Sequence, residues 1–201
     1  MLRGVVVFPV MLDVRDRRAL VVGADADAVG RVARLVEAGA RVLVLTLAEP
    51  PPEMCTLEET GCVHIERRAA RPADLDGVFV TYVSTAEEAQ APPLHARAAA
   101  EGRLLCTVDR PELSTFVNPA IVRAGHLSIA ISTGGASPAL ARRIREDLGE
   151  MFADPRFASW LDALAQERAA LPRGERARTG AEAVRGFSIE GRVKLPGDRT
   201  G

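Results

Sequence analysis

Ala19-Leu20-Val21-Val22-Gly23-Ala24-Asp25, continued by Ala26 to Ala38 and then by Gly39-Ala40-Arg41-Val42-Leu43-Val44-Leu45-Thr46-Leu47, is the stretch that decides the fold. Ala19 to Val22 read as an apolar strand, and Gly23-Ala24-Asp25 as a tight turn. Val29, Val32, Ala33 and Val36 recur at helical spacing, which predicts a helix over Ala26–Ala38. Gly39 stops that helix, and Arg41–Leu47 is a second strand. Strands apolar on both faces belong to a parallel sheet covered on both sides, so the unit is βαβ. Working outward, the proline run Pro50-Pro51-Pro52 breaks the pattern. Strands are then expected at Cys62–Glu66, Gly77–Val83 and Arg103–Val108, with a helix over Pro93–Ala100. The fold class is α/β: a Rossmann-like, doubly wound parallel sheet of about five strands, ending near Asp109.

Past that point the pattern changes. Residues 1–110 are expected to make the Rossmann-like domain. Residues 111–150 are expected to form a smaller α+β region, 151–171 a helical C-terminal region, and 172–201 a flexible tail with too few apolar residues for a core of its own. Leu127–Ser132 alternates as a strand does. Thr133-Gly134-Gly135 turns the chain, and Ser137-Pro138 opens a helix with an N-cap hydroxyl and a pre-set φ. A further helix is expected over Ala158–Ala170.

Composition narrows the function classes. The chain has 201 residues, 47% hydrophobic and 26% charged, which is the globular average. A net charge of −1 supplies no field for nucleic acid or an anionic membrane surface, and 4% aromatics offer few platforms for stacking bases. No apolar run approaches the length of a membrane span. Cys55, Cys62 and Cys106 are odd in number and irregularly spaced, which favours a reducing compartment and a cytoplasmic protein. Cys62 and His64 are two metal-ligating types on one predicted strand, too few to make a site. Lys194 is the only lysine among 26 basic residues, so a bound carboxylate or phosphate would meet guanidinium forks.

The turn Gly23-Ala24-Asp25-Ala26-Asp27-Ala28 occupies the place of a dinucleotide-binding G-x-G-x-x-G/A. The first glycine is kept and Ala28 suits the last position. The middle glycine, which lets backbone approach a pyrophosphate, is Asp25. A carboxylate there takes up the anion's volume and opposes its charge, and Asp27 adds a second; Asp25 is also a good helix N-cap. The second strand ends Thr46-Leu47-Ala48, with no acid for a ribose hydroxyl. On spacing alone, the fold signal is stronger than the ligand signal.

Several strings fall in order along the chain: Phe8-Pro9-Val10-Met11-Leu12-Asp13, Glu37-Ala38-Gly39-Ala40, Thr107-Val108-Asp109, Phe116-Val117-Asn118-Pro119-Ala120-Ile121, and Ile131-Ser132-Thr133-Gly134-Gly135-Ala136-Ser137-Pro138-Ala139-Leu140-Ala141-Arg142. Together they resemble the siroheme synthase N-terminal module family, precorrin-2 dehydrogenase and sirohydrochlorin ferrochelatase, over about residues 7–152. The resemblance implies a homodimer that encloses a tetrapyrrole cleft, oxidises precorrin-2 to sirohydrochlorin with NAD⁺, and in many members inserts Fe²⁺. It carries the catalytic aspartate, and transient metal contact during chelation, to Asp109. It assigns the cofactor to Gly23, Ala24, Asp25, Ala26, Asp27, Leu47, Ala48 and Thr85. Substrate falls to Asn118, Pro119, Thr133, Gly134, Gly135, Ser137 and Arg142.

Residue chemistry agrees with part of this. Asp109 lies at the carboxyl end of a predicted strand, where open α/β sheets bind ligands and a carboxylate can take a proton. A glycine turn feeding a helix start favours anions, and Arg142 follows in the first turns with Arg143 and Arg145 close behind. His126 reads as a surface residue. The departures from the family pattern lie on the cofactor side: Gly23-Ala24-Asp25 where G-x-G is usual, and Val83-Ser84-Thr85-Ala86-Glu87 where A-A-T-D-D is common. Three alternatives stay open: a chelatase without dehydrogenase activity, working with iron or another divalent metal; a non-catalytic tetrapyrrole-binding protein; and, least favoured, an unrelated NAD(P) oxidoreductase.

Overall fold

The computed structural model describes residues 7–191. The deciding stretch folds as strand Arg18–Val22 (β1), helix Ala26–Glu37 (α1) and strand Arg41–Thr46 (β2). Val63–Arg67 (β3), Val80–Val83 (β4) and Leu104–Thr107 (β5) complete a five-stranded sheet, every neighbouring pair parallel, in the order β3-β2-β1-β4-β5. The order reverses between β1 and β4, so their carboxyl ends border the crevice where such sheets bind ligands.

Why the strands are apolar throughout is visible in the two cores. On one face Val21, Val42, Val44 and Val80 pack with Ala28, Val32 and Leu35 of α1. Met54 joins them from helix Pro52–Glu58 (α2). On the other, Leu20, Val22, Leu45, Val83 and Leu105 pack with Ala91, Leu94 and Ala98 of helix Ala91–Glu101 (α3). Each buried leucine or valine contributes on the order of 2 kcal/mol through removal from water. The proline run that breaks the sequence pattern starts α2: Pro52 stands at its first position, where a missing N–H costs nothing.

Among the described residues the chain divides into two compact units, 7–119 with 132–138, and 120–131 with 139–191. The second begins with a hairpin of Ala120–Ala124 (β6) and Leu127–Ile131 (β7), antiparallel. Its turn residue Gly125 has φ +55, and a Cβ there would lie 3.1 Å from the Ala158 Cβ. Helices Pro138–Met151 (α4), Pro155–Ala170 (α5) and Arg176–Ala183 (α6) follow. Asp154 caps α5, accepting from the Arg156 amide at 2.9 Å. Phe157 meets Phe152 at 4.9 Å between ring centroids, and Trp160 stacks on Phe187 at 5.4 Å. Of the stretch 172–201, for which a flexible tail is the expectation, residues 176–183 are helical and 192–201 lie outside the described residues, as does Lys194.

Gly23 closes β1 against β4. Its φ is +124, and a Cβ at this position would overlap the Ser84 hydroxyl. Gly23→Ala combines backbone strain with steric overlap, and urea unfolding should show a loss of about 2–4 kcal/mol.

Candidate functional site

Three loops meet at the carboxyl edge of the sheet, after β1, β2 and β4. Asp25 is the N-cap of α1: its Oδ1 accepts from the Ala28 amide at 2.9 Å. Its Oδ2 accepts from the Ala86 amide at 3.2 Å and the Thr85 hydroxyl at 3.4 Å. The carboxylate is therefore turned into the protein, tying the β1–α1 turn to the loop after β4. Partial burial pushes the Asp25 carboxyl up, but the hydrogen bonds from Ala28, Ala86 and Thr85 outweigh it and hold it below the ordinary aspartate value.

The residues that end β2 are capped as well, and from an unforeseen quarter. Glu87, buried at 8% exposure, accepts through Oε1 from the Leu47 amide at 2.9 Å and the Thr46 hydroxyl at 3.4 Å. Through Oε2 it accepts from Gln90 Nε2 at 2.5 Å, while Gln90 Oε1 accepts from the Ala70 amide at 2.6 Å. The 3₁₀ run Thr85–Gln90 is interrupted at Glu87, whose φ is −113. The sequence signal for this residue was an acid shortly after a predicted strand; nothing in the sequence says which strand end it reaches.

The fit to a dinucleotide can be tested on these groups. Helix geometry leaves the Ala26 and Asp27 amides without intrahelical acceptors, since Asp25 takes only that of Ala28. Two free amides at a helix N-terminus suit a pyrophosphate. Leu47, directly after β2, has an exposed apolar side chain. The residues fit such a group, with Asp25 serving as part of the wall.

Asp109 follows β5 with φ +58, left-handed backbone that a non-glycine residue adopts rarely and that gathers at functional positions. The turn is clasped around it. The Val108 amide donates to Val83 O at 2.9 Å, Thr107 Oγ1 donates to Leu113 O at 2.8 Å, and Ser114 Oγ accepts from the Thr107 amide at 2.9 Å. Neighbouring Arg110 is engaged by Glu88 and Glu112, and the exposed Asp109 carboxylate has no hydrogen-bond or ion-pair partner among the described residues. Nearby, the Arg31 guanidinium lies over the Tyr82 ring at 4.4 Å and donates to the Asn118 amide oxygen from Nη1 at 2.8 Å. Burial pushes the Tyr82 hydroxyl and the Cys106 thiol up from their usual values.

The Thr133–Ser137 turn belongs to the same unit. Thr133 Oγ1 accepts from the Ser137 amide at 3.2 Å and donates to Ser137 O at 3.1 Å, and Gly134 and Gly135 have φ +60 and +81. Asn118 and Pro119 also fall in this unit, whereas Arg142 falls in the second. Arg143 pairs with Asp147 at 2.6 Å and Arg145 with Glu146 at 3.4 Å. Arg142 is exposed and has no such partner among the described residues. His126 is exposed, 3.3 Å from Asp162. Cys62 precedes β3, and no group of three or more His, Cys, Asp or Glu able to hold a metal occurs among the described residues.

Comparison with known proteins agrees with this layout. The family model described as "Putative NAD(P)-binding" matches residues 10–120, and "Sirohaem biosynthesis protein central" matches residues 125–151. Siroheme synthase 1 of Cronobacter sakazakii is 35% identical over 144 residues, 72% of this chain and 30% of that protein. Siroheme synthase of Gluconacetobacter diazotrophicus is 35% identical over 162 residues, 79% of this chain and 33% of that protein. The chain thus spans about a third of the length of these relatives. The solved structure of SirC, a precorrin-2 dehydrogenase, superposes with a TM-score of 0.74 at 27% identity, over 89% of each chain.

The Asp25 cap has a pH signature. A carboxyl whose folded pKa is lowered adds stability above its unfolded value and loses it as pH falls through the folded one. As pH falls from about 5 to about 2, the wild type should lose more thermal stability than Asp25→Asn, whose amide oxygen still caps α1. Parallel acid profiles for the two proteins would remove Asp25 from the acid response.

Proposed function

The chain belongs to the siroheme synthase N-terminal module family, a family of NAD(P)-binding modules, and from that premise we propose that it oxidises precorrin-2 to sirohydrochlorin with NAD⁺. The observation that carries this reading is Asp109: an exposed carboxylate in left-handed backbone, without a partner among the described residues and in the same unit as the Gly23 turn. When bound, NAD⁺ supplies the hydride acceptor. The chain must supply the rest. The Ala26 and Asp27 amides would hold the NAD⁺ pyrophosphate, and Leu47 and Ala48 would serve its adenosine half. Thr85 acts indirectly, through the Asp25 cap it helps to fix.

Removal of a hydride from precorrin-2 leaves one proton to be taken up, and the Asp109 carboxylate accepts it. With no cationic partner among the described residues, that carboxylate's oxygens stay available. We assign substrate positioning in the first unit to Asn118, Pro119 and the Thr133-Gly134-Gly135-Ser137 turn; Arg142, with no ion-pair partner among the described residues, suits an acetate or propionate arm. The same carboxylate suits a second step, insertion of Fe²⁺ as substrate metal, in which two pyrrole protons leave and Asp109 accepts protons and contacts the ion in passing. No resident metal site is required for that role. The reading includes a homodimer working in the cytoplasm. Exposed Phe8, Val10 and Met11 in the first unit, and Phe187 and Ile189 in the second, support an assembly. The three free cysteines support a reducing compartment.

Two measurements test the reading. Asp109→Ala should reduce the turnover of precorrin-2, followed as NADH formation, by roughly 10²-fold or more while NAD⁺ affinity stays within about twofold. Equal turnover would remove Asp109 from the chemistry, and equal iron insertion would remove it from chelation. Arg142→Ala should raise the KM for the tetrapyrrole about tenfold with little change in kcat, as expected for a lost charge-assisted hydrogen bond.

A further inference from the structure

β2 ends at Thr46 and runs on as Leu47-Ala48-Glu49, with the Glu49 carboxylate held by Arg67. The fold brings a carboxylate there from 40 residues away. Glu87 Oε1 lies 2.9 Å from the Leu47 amide and 3.4 Å from Thr46 Oγ1, and both of its oxygens are fixed by donors. Three donors point at the carboxylate, and burial in a low-dielectric wall lengthens the reach of its charge. The side chain also lies against the cofactor turn, since a Cβ on Gly23 would stand 3.4 Å from Glu87 Cγ.

The cations nearest in register do not offset it. Arg67, paired in the sheet with Thr46, is held by Glu49 at 2.5 Å. Arg68 is held by Glu66 at 2.6 Å and Asp74 at 2.8 Å. A dianionic 2′-phosphate on the adenosine ribose would enter a field of its own sign, whereas a 2′-hydroxyl carries no such penalty.

We infer that Glu87 is a specificity-determining residue: its buried carboxylate, set against the end of β2, excludes the 2′-phosphorylated dinucleotide and leaves the site to the form with a free 2′-hydroxyl. This rests on the reading that a dinucleotide binds at the Gly23 turn, and goes beyond it by assigning the choice between the two nicotinamide dinucleotides to one side chain. Calorimetric titration of the full chain with NAD⁺ and NADP⁺ tests it without any turnover. The wild type should prefer NAD⁺. Glu87→Gln should tighten NADP⁺ about tenfold and change NAD⁺ by less than about threefold.

Because Glu87 also ties loops together, the double substitution Glu87→Gln/Gln90→Glu is the companion. It keeps a hydrogen bond between the two side chains and an acceptor for the Ala70 amide, while moving the charge away from β2. It should shift the preference in the same direction. A wild type that binds neither dinucleotide would sink the underlying reading. A wild type that binds both alike, or variants in which the two affinities move together, would overturn the role of Glu87 and leave dinucleotide binding standing.

Discussion

The carboxyl ends of β2, β1 and β4 stand side by side in this sheet, and two carboxylates hold their loops in place. Asp25 joins the turn after β1 to the loop after β4, and Glu87 joins that same loop to the end of β2. Parallel strands cannot be closed by tight hairpins, so their ends depend on such side-chain bonds to exposed amides. Everything proposed for the site stands on this arrangement. It fixes the first turn of α1, decides which amides remain free, and sets the sign of the charge around them.

The same arrangement explains a departure from the usual glycine pattern. A middle glycine lets an anion sit close to backbone. Here the position is given to a side chain that satisfies one orphan amide of α1 and two donors on the neighbouring loop. The helix start gains a cap and the loop after β4 gains an anchor, at the cost of one amide that a ligand would otherwise use. Glu87 makes a similar exchange at Leu47. These strand ends are therefore tied together by the chain's own side chains, and a site organised before its ligand arrives has a lower ordering cost on binding.

Much of this was legible in the sequence, for physical reasons. The β1-α1-β2 unit announces itself because helix and strand periodicities are local, and because strands buried on both faces have no polar interruptions. Asp25 reads as an N-cap from its place before Ala26. Asp109 stands out through the string Thr107-Val108-Asp109, although its left-handed backbone does not. What could not be read depends on pairing across distance. Glu87 is 40 residues from Leu47, and no pattern within its own loop says that it points at β2. Residues 120–124 carry no strand signal of their own in the sequence, because a five-residue strand gains its meaning from a partner, β7. Helix α2 is seven residues long, too short for a periodic stripe.

The arginine bias has its own consequence in the ion pairs. Arg68 with Asp74 and Glu66, Arg97 with Asp76 and Glu101, and Arg143 with Asp147 are all guanidinium–carboxylate contacts, and in each the guanidinium is pushed further up by its hydrogen-bonded carboxylate. An ammonium begins to lose its proton near pH 10, whereas a guanidinium does not within the range a fold survives. With lysine confined to Lys194, these clamps stay charged at alkaline pH. The basic side of the molecule thus behaves as a set of fixed charges rather than a buffer, and its electrostatic frame holds still on the alkaline side of neutrality.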